Sequence, residues 1–512
     1  MRSKHFLGLC LVGSFAAMAL AGTGCGGGTT STSTTGGGGE GGSTTTTTTT
    51  TGSTTTATGT TTATTTTTSA TGTGGGATGD GNDTFDQAVA VDSKGVNGTL
   101  EDPSTDIDFY KFDGDVGETW LISASSHPAN TDTDPGYIDT FIELYDSGHK
   151  LIATNDDRYP RRNTDSEIVT VLPTKGTYYV KVQEWCISPT KSAKDCNQAY
   201  FDSLMTLDYT VGAVMLDPTK GDVIVEKEPN DSAATATPIP ATETTTKGSY
   251  YLTITQGKLP MSSDSDWYSL TIPANLTVDP ASRAHVGFLN PWGGTVGNGS
   301  DVKVGVVEVL DATTMTVVGS FDMSNEPGSA ANRADLSVPV TKGGNYLLKV
   351  KHGGIEADGQ GQFYFMYQTL GAGNPLEKSE VTNSLPATPE VLAASATKGS
   401  YFVEGNLAVG DLDHFKIATL GEATVSVACA AQRGGSGLRG FTASVFNADG
   451  TTPVAMGTAT ESATKDLFID HIAIPASQTD LVIKVAATLA PDVTNTGTYY
   501  ICGFHVGAAL VP

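Results

Sequence analysis

The sequence predicts an all-β protein built from three β-sandwich modules in tandem. Three observations carry that prediction. First, a motif of the form Asp-x-Asp-aromatic-aromatic-x-apolar occurs three times. Its copies are Asp106-Ile107-Asp108-Phe109-Tyr110-Lys111-Phe112, Asp264-Ser265-Asp266-Trp267-Tyr268-Ser269-Leu270 and Asp411-Leu412-Asp413-His414-Phe415-Lys416-Ile417. They stand about 150 residues apart, too far for a solenoid repeat and suited to whole domains. Second, the runs that follow alternate with period two. Tyr178, Val180 and Val182 face one way while Tyr179, Lys181 and Gln183 face the other, the one-dry, one-wet pattern of an antiparallel sheet. Third, Gly, Asn, Asp and Pro punctuate these runs, and no helical periodicity is sustained after residue 80. Short strands with frequent turn signals suggest sandwiches rather than parallel α/β sheets.

The elements recur in a fixed order. After each motif comes an apolar strand ending in an acidic turn: Phe141 to Gly148, Val307 to Asp311, and Ser444 to Gly450. A β-branched or aromatic strand follows: Lys175 to Val182, Lys342 to Val350, and Leu481 to Val485. A last strand closes each unit: Leu207 to Val211, Phe363 to Tyr367, and Thr498 to Cys502. The modules are therefore bounded at 80–217, 222–371 and 374–512, and units of about 140 residues can bury their own cores. Asp217 to Gly221 and Gly371 to Pro375 are the linkers between them. Their shortness predicts limited inter-module motion.

Residues 1–24 have the form of an export signal. Arg2, Lys4 and His5 precede an apolar run from Phe6 to Ala21 that is short for a membrane span. The run ends Leu20-Ala21-Gly22-Thr23-Gly24-Cys25. Small residues before a cysteine resemble a bacterial lipobox, with Cys25 as the lipidated first residue and the anchor to the membrane. Gly26 rather than Asp follows it, which favours an outer-membrane, surface-exposed address. The alternative is ordinary signal cleavage and a secreted protein. Residues 25–79 are nearly all Thr and Gly and cannot bury enough surface to offset ordering, so a disordered stalk is predicted. A coil of that length would average ~40 Å end to end.

The net charge is −26, from 29 Lys and Arg against 55 Asp and Glu. Such a chain repels nucleic acid and anionic headgroups and suits a cation-rich exterior. Cysteine usage agrees with export. Cys10 leaves with the signal and Cys25 takes the lipid. Of three possible pairings of the remaining four cysteines, only Cys186–Cys196 with Cys429–Cys502 keeps each bond inside a module.

With these motifs in hand, residues 80 to about 215 resemble a bacterial pre-peptidase C-terminal domain. The features, in order, are Asp80-Gly81-Asn82-Asp83, Gly98-Thr99-Leu100, Asp106-Ile107-Asp108-Phe109-Tyr110, Leu144-Tyr145-Asp146, Asn155-Asp156-Asp157 and Gly176-Thr177-Tyr178-Tyr179-Val180. Residues 222–371 repeat the opening as Glu226-Lys227-Glu228-Pro229-Asn230-Asp231. Residues 374–512 keep Asp411-Leu412-Asp413 but show no Asn-Asp opening, so this copy looks degenerate. The resemblance implies a jelly-roll-like sandwich and a non-catalytic role beside secreted peptidases. It also implies calcium at an acidic opening segment, as in related collagen-binding domains.

Calcium is the one cofactor the residues themselves support. It takes six to eight oxygens at about 2.3–2.6 Å from carboxylates, amides and carbonyls. In module two the candidate ligands are Glu226, Glu228, Asn230, Asp231, Asp264 and Asp266. In module one they are Asp80, Asn82, Asp83, Asp106 and Asp108. The competing reading is that these Asp and Asn residues cap turns without any metal. Catalytic residues are not indicated: there is no His-Glu-x-x-His and no Gly-x-Ser-x-Gly elbow. Trp120 and Trp267 fall in strand patterns, whereas Trp292 is a candidate exposed sugar-stacking residue. The expected function is that of a non-catalytic envelope lipoprotein that binds extracellular protein or polysaccharide with calcium's help. A structural, assembly or peptidase-accessory role, or an unfamiliar hydrolase, stands as the alternative.

Overall fold

The computed structural model describes residues 81–507 except 127–135, 157–164, 190–195, 290–292, 323–334, 356–358, 379–382, 396–398, 409, 463–464, 466 and 476. The signal and stalk segments, Cys25, Asp80, Asp157 and Trp292 lie outside the described residues. No described helix is long and apolar enough to cross a membrane.

The described chain folds as three β-sandwiches with one topology. Module one contains β1 (Val89–Ala90), β2 (Val96–Thr99), β3 (Ile107–Gly114), β4 (Thr119–Ser125), β5 (Thr140–Tyr145), β6 (Leu151–Asn155), β7 (Ser166–Val171), β8 (Gly176–Glu184) and β9 (Asp208–Leu216). These make two sheets, β1-β3-β8-β5-β6 and β2-β9-β4-β7.

Module two contains β10 (Val223–Val225), β11 (Thr237–Pro238), β12 (Ala241–Glu243), β13 (Tyr250–Leu252), β14 (Ile254–Lys258), β15 (Ser265–Thr271), β16 (Ser282–Leu289), β17 (Val302–Asp311), β18 (Val317–Asp322), β19 (Asp335–Val340), β20 (Asn345–Ile355) and β21 (Phe363–Pro375). Its sheets run β11-β15-β20-β17-β18 and β10-β14-β21-β16-β19, with β12-β13 as a separate hairpin.

Module three contains β22 (Glu390–Val391), β23 (Ser400–Asn406), β24 (Leu412–Ala418), β25 (Thr424–Ala430), β26 (Arg439–Asn447), β27 (Pro453–Thr460), β28 (Leu467–Ala473), β29 (Asp480–Leu489) and β30 (Tyr499–Val506). Its sheets are β22-β24-β29-β26-β27 and β23-β30-β25-β28. The motif strands β3, β15 and β24 hold the same place in each module. Each lies between a two-residue parallel edge strand and a long antiparallel partner. Keeping the outer strand that short limits the pairing edge open to another chain.

Alternation fills each core as the pattern requires. Tyr178, Val180 and Val182 of β8 are buried, and Tyr268 and Leu270 of β15 point into the core of module two. One strand departs from the one-dry, one-wet rule. In β21, Tyr364 and Met366 enter the core of module two, while Phe363, Phe365 and Tyr367 enter a second apolar cluster with Leu121, Val169 and Leu216 of module one. The outer face of β21 is dry because a neighbouring module covers it. At the rim of this interface Thr119 donates to Gln256 at 2.6 Å and Tyr367 donates to Glu167 at 2.8 Å.

The two expected linkers differ. Asp217 to Gly221 forms a short turn: Asp217 caps the Thr219 amide at 2.9 Å, and Gly221 takes the left-handed conformation that closes it. Gly371 to Pro375 is no loop. It continues β21, pairing Gly371 with His285 and Ala372 with Ala284. The ladder bulges once within this stretch, with Gly373 and Asn374 opposite the single residue Arg283. At Gly373 a glycine is needed, because a Cβ would strike the side chains of His285 and Glu404. Those two residues join modules two and three. Glu404 is fully buried and accepts from His285 Nε2 at 2.8 Å, with Arg283 Nε at 3.4 Å. Both disulfides form as expected, Cys186–Cys196 and Cys429–Cys502. The second joins residues directly opposite on β25 and β30.

Candidate metal centres

The two acids of the repeated motif have different fates. The second carboxylate, Asp108, Asp266 or Asp413, is fully buried in every module. It lies on the motif strand beneath the last strand, which supplies a tyrosine hydroxyl as donor. Tyr209 donates to Asp108, Tyr364 to Asp266 at 2.6 Å, and Tyr500 to Asp413 at 2.7 Å. In modules one and two the second aromatic of the motif adds another hydroxyl. Tyr110 meets Tyr209 at 2.8 Å and Tyr268 meets Tyr364 at 2.7 Å. Module three has Phe415 there, and Tyr500 contacts Glu377 at 3.2 Å as well as Asp413. A glycine makes room for each knot: a Cβ on Gly98, Gly257 or Gly405 would collide with the tyrosine rings and hydroxyls. A buried carboxylate needs such donors, since leaving it unpaired is costly.

An opening asparagine locks each motif strand from the other side. The carbonyls of Asn82, Asn230 and Asn383 accept from the amides of Phe109, Trp267 and His414 at 2.8, 2.9 and 2.8 Å. All three asparagines are buried. Module three therefore keeps the asparagine of the opening, although no Asp follows it. Asn383 stands where Asn230 stands in module two, and its side-chain amide donates to Glu377 at 3.1 Å. In module two Asn230 reaches Glu226 at 3.4 Å in the same way. The equivalence was hidden because Glu377 and Asn383 are six residues apart while Glu226 and Asn230 are four apart, and Ser384 replaces Asp231. Gly257-Lys258-Leu259 and Gly405-Asn406-Leu407, matching Gly98-Thr99-Leu100, were the signals that could have exposed it. All three leucines are fully buried.

Carboxylates converge around two of these knots. In module two, oxygens of Glu226, Glu228 and Asp266 lie within 4.8 Å of one another. Asp264 stands beside them, interacting with Asp231 and Glu228. In module one, oxygens of Asp83, Asp106 and Asp108 lie within the same 4.8 Å. Asp106 is also a turn cap, accepting from the amides of Glu101 at 2.8 Å and Ile107 at 3.0 Å. So the sequence-derived candidates are brought together as two clusters. Asn82 and Asn230 sit behind them as strand locks, and Asp80 lies outside the described residues.

The electrostatics of module two are those of crowded anions. Burial raises Asp266 well above the ordinary carboxylate range, and the charge of Glu226 adds to this. Burial likewise raises Glu226, with a further push from Glu228. Asp264 is pushed up to about 6, first by burial and then by its contact with Asp231 and the charge of Glu228. A divalent cation would favour the ionised forms that burial and repulsion oppose. The donor set, carboxylate-rich and without thiol or imidazole in either cluster, fits a hard cation such as calcium.

No family model matches the chain, and no curated protein matches it. Among solved structures it is similar to the tandem family 51 carbohydrate-binding modules of a family 98 glycoside hydrolase from Streptococcus pneumoniae. That match has 12% identity over 50% of this chain and 84% of the other, with a TM-score of 0.15. It is similar to a Paenibacillus xanthan lyase at 13% identity over 79% of this chain and 36% of the other, TM-score 0.18. It is similar to the CUB1-EGF-CUB2 region of human MASP-1/3 at 8% identity over 54% of this chain and 98% of the other, TM-score 0.14. Likenesses this weak carry no argument about function.

Proposed function

We propose that this is a non-catalytic binding protein of the cell exterior, a lipoprotein held through Cys25 at the end of a Thr/Gly stalk. Its three sandwiches present surfaces to extracellular protein or polysaccharide, and calcium braces the openings of modules one and two. The observation that carries this reading is the carboxylate cluster of Glu226, Glu228 and Asp266 at the opening of module two. Such a cluster suits a calcium-rich exterior, because a bound cation would relieve the repulsion among buried acids. Two intramodule disulfides agree with an oxidising compartment. The resemblance of the opening and motif segments to pre-peptidase C-terminal domains supports an accessory rather than catalytic part.

Two assays test the reading. Labelled palmitate should enter the protein and be lost in Cys25→Ser; no label in the unaltered protein would move it to the secreted class. The labelled full chain should bind on a panel of polysaccharides or immobilised extracellular proteins in the presence of calcium. Binding to neither panel, with turnover of a peptide or glycan substrate instead, would overturn the binding role.

A further inference from the structure

Module one carries an aromatic surface that has no counterpart among the described residues of its two sister modules. On the outer face of its motif sheet, Phe85 packs against Phe109 at 4.5 Å, Tyr145 at 5.3 Å and Tyr179 at 5.3 Å between ring centroids. The exposed His149 lies flat on Phe85, 3.9 Å away with an 8° interplanar angle. The turn that presents this ring holds His149 at φ 60°, a conformation uncommon for a residue other than glycine. In modules two and three the matching sheet faces carry a lysine over a ring instead, Lys349 over Trp267 and Lys484 over Phe446. The same strand topology is thus reached in those modules with other residues on this face.

Tyr179 belongs to two features at once. It packs in the cluster, and it also lines a cleft of about 720 Å³ at the edge of the sandwich. Half-buried Trp120 lines the same cleft, its ring stacked on Phe112 at 4.3 Å. Hydrogen-bonding side chains surround it: Asp92, Ser93, Lys111, Asp113 and Thr177. Aromatic faces with donors and acceptors close by match a pyranose, which has an apolar C–H face and a rim of hydroxyls. Thr177 already donates to Asp113 at 2.7 Å and Asp92 accepts from the Lys94 amide at 2.7 Å, so these groups are held in place with lone pairs to spare for hydroxyls. The net charge of −26 works against an acidic polymer.

We infer that this strip, from His149 and Phe85 through Tyr179 into the Trp120 cleft, is a binding surface for a neutral polysaccharide chain. The inference rests on the proposed binding role and names its ligand class and its place.

The test is affinity electrophoresis of the full chain through gels containing soluble neutral polymers (a glucan, a mannan and a xylan), with alginate as the acidic control. Retardation by at least one neutral polymer is expected. It should weaken about ten-fold or more in Tyr179→Ala and in Phe85→Ala, and stay unchanged in Tyr251→Ala, an exposed aromatic of module two. Circular dichroism melts of each variant separate lost binding from lost folding. Trp120 is left unaltered because it also packs against the core. Retardation that survives both module-one substitutions in folded variants would overturn this surface while leaving the binding role standing. Retardation by no neutral polymer, or capture only by alginate or by an immobilised protein such as gelatin, would overturn the polysaccharide assignment.

Discussion

Tyr364 of the last strand of module two donates a 2.6 Å hydrogen bond to Asp266 of the motif strand, and both groups are buried. The bond ties the two sheets together directly under the acidic opening. Tyr209 with Asp108 and Tyr500 with Asp413 repeat it. The second acid of the repeat is thus part of the fold in all three modules before it is part of any ion site.

Removing that donor should destabilise the fold. Tyr364→Phe and Tyr500→Phe each leave a buried carboxylate short of a hydrogen bond, at a cost of about 1–3 kcal/mol. Urea unfolding of the full chain measures this. A loss within error of zero for both variants would mean that the buried hydroxyls contribute nothing net.

Without calcium, module two should lose stability as pH rises. Asp264 ionises near 3.8 when unfolded and is pushed up to about 6 in the folded chain, while Glu226 and Asp266 are also raised. The folded state then holds protons that the unfolded state has released. Stability is full below the unfolded values and falls as pH climbs through the folded ones. Melting temperatures in a chelator should therefore decline from about pH 4 toward pH 8, and millimolar calcium should flatten the decline. A chelator profile that rises over this range would oppose the account.

Modules two and three should unfold together while Glu404 is intact. Glu404→Ala removes the carboxylate that His285 Nε2 and Arg283 Nε both meet from β16. Leaving a buried group without its hydrogen-bond partner costs about 1–3 kcal/mol. Differential scanning calorimetry should show the transition of module three separating to lower temperature. An unchanged thermogram would show that the apolar contacts alone couple the modules.

Much of this architecture was legible in the sequence, for physical reasons that also mark where legibility ended. Period-two alternation exposed the sheets because a strand has only two faces, and β8 follows the pattern through Tyr178, Val180 and Val182. The pattern gave no sign that Phe363, Phe365 and Tyr367 would be covered by module one, since alternation cannot say what lies over an outer face. Gly371 to Pro375 looked like a linker from composition, yet it is strand, because ladder pairing with β16 overrides the local preference. The clusters in modules one and two were visible as acidic spacing. The opening asparagine of module three, Asn383, was not, since the longer segment between Glu377 and Asn383 displaced the match.

Calcium titration of the full chain by isothermal calorimetry tests the central claim most directly. The account predicts binding heat and a rise in melting temperature at millimolar calcium. Glu228→Gln combined with Asp264→Asn should remove the part due to module two and leave that of module one. No heat and no melting shift in the unaltered chain, or a response untouched by the double substitution, would contradict it.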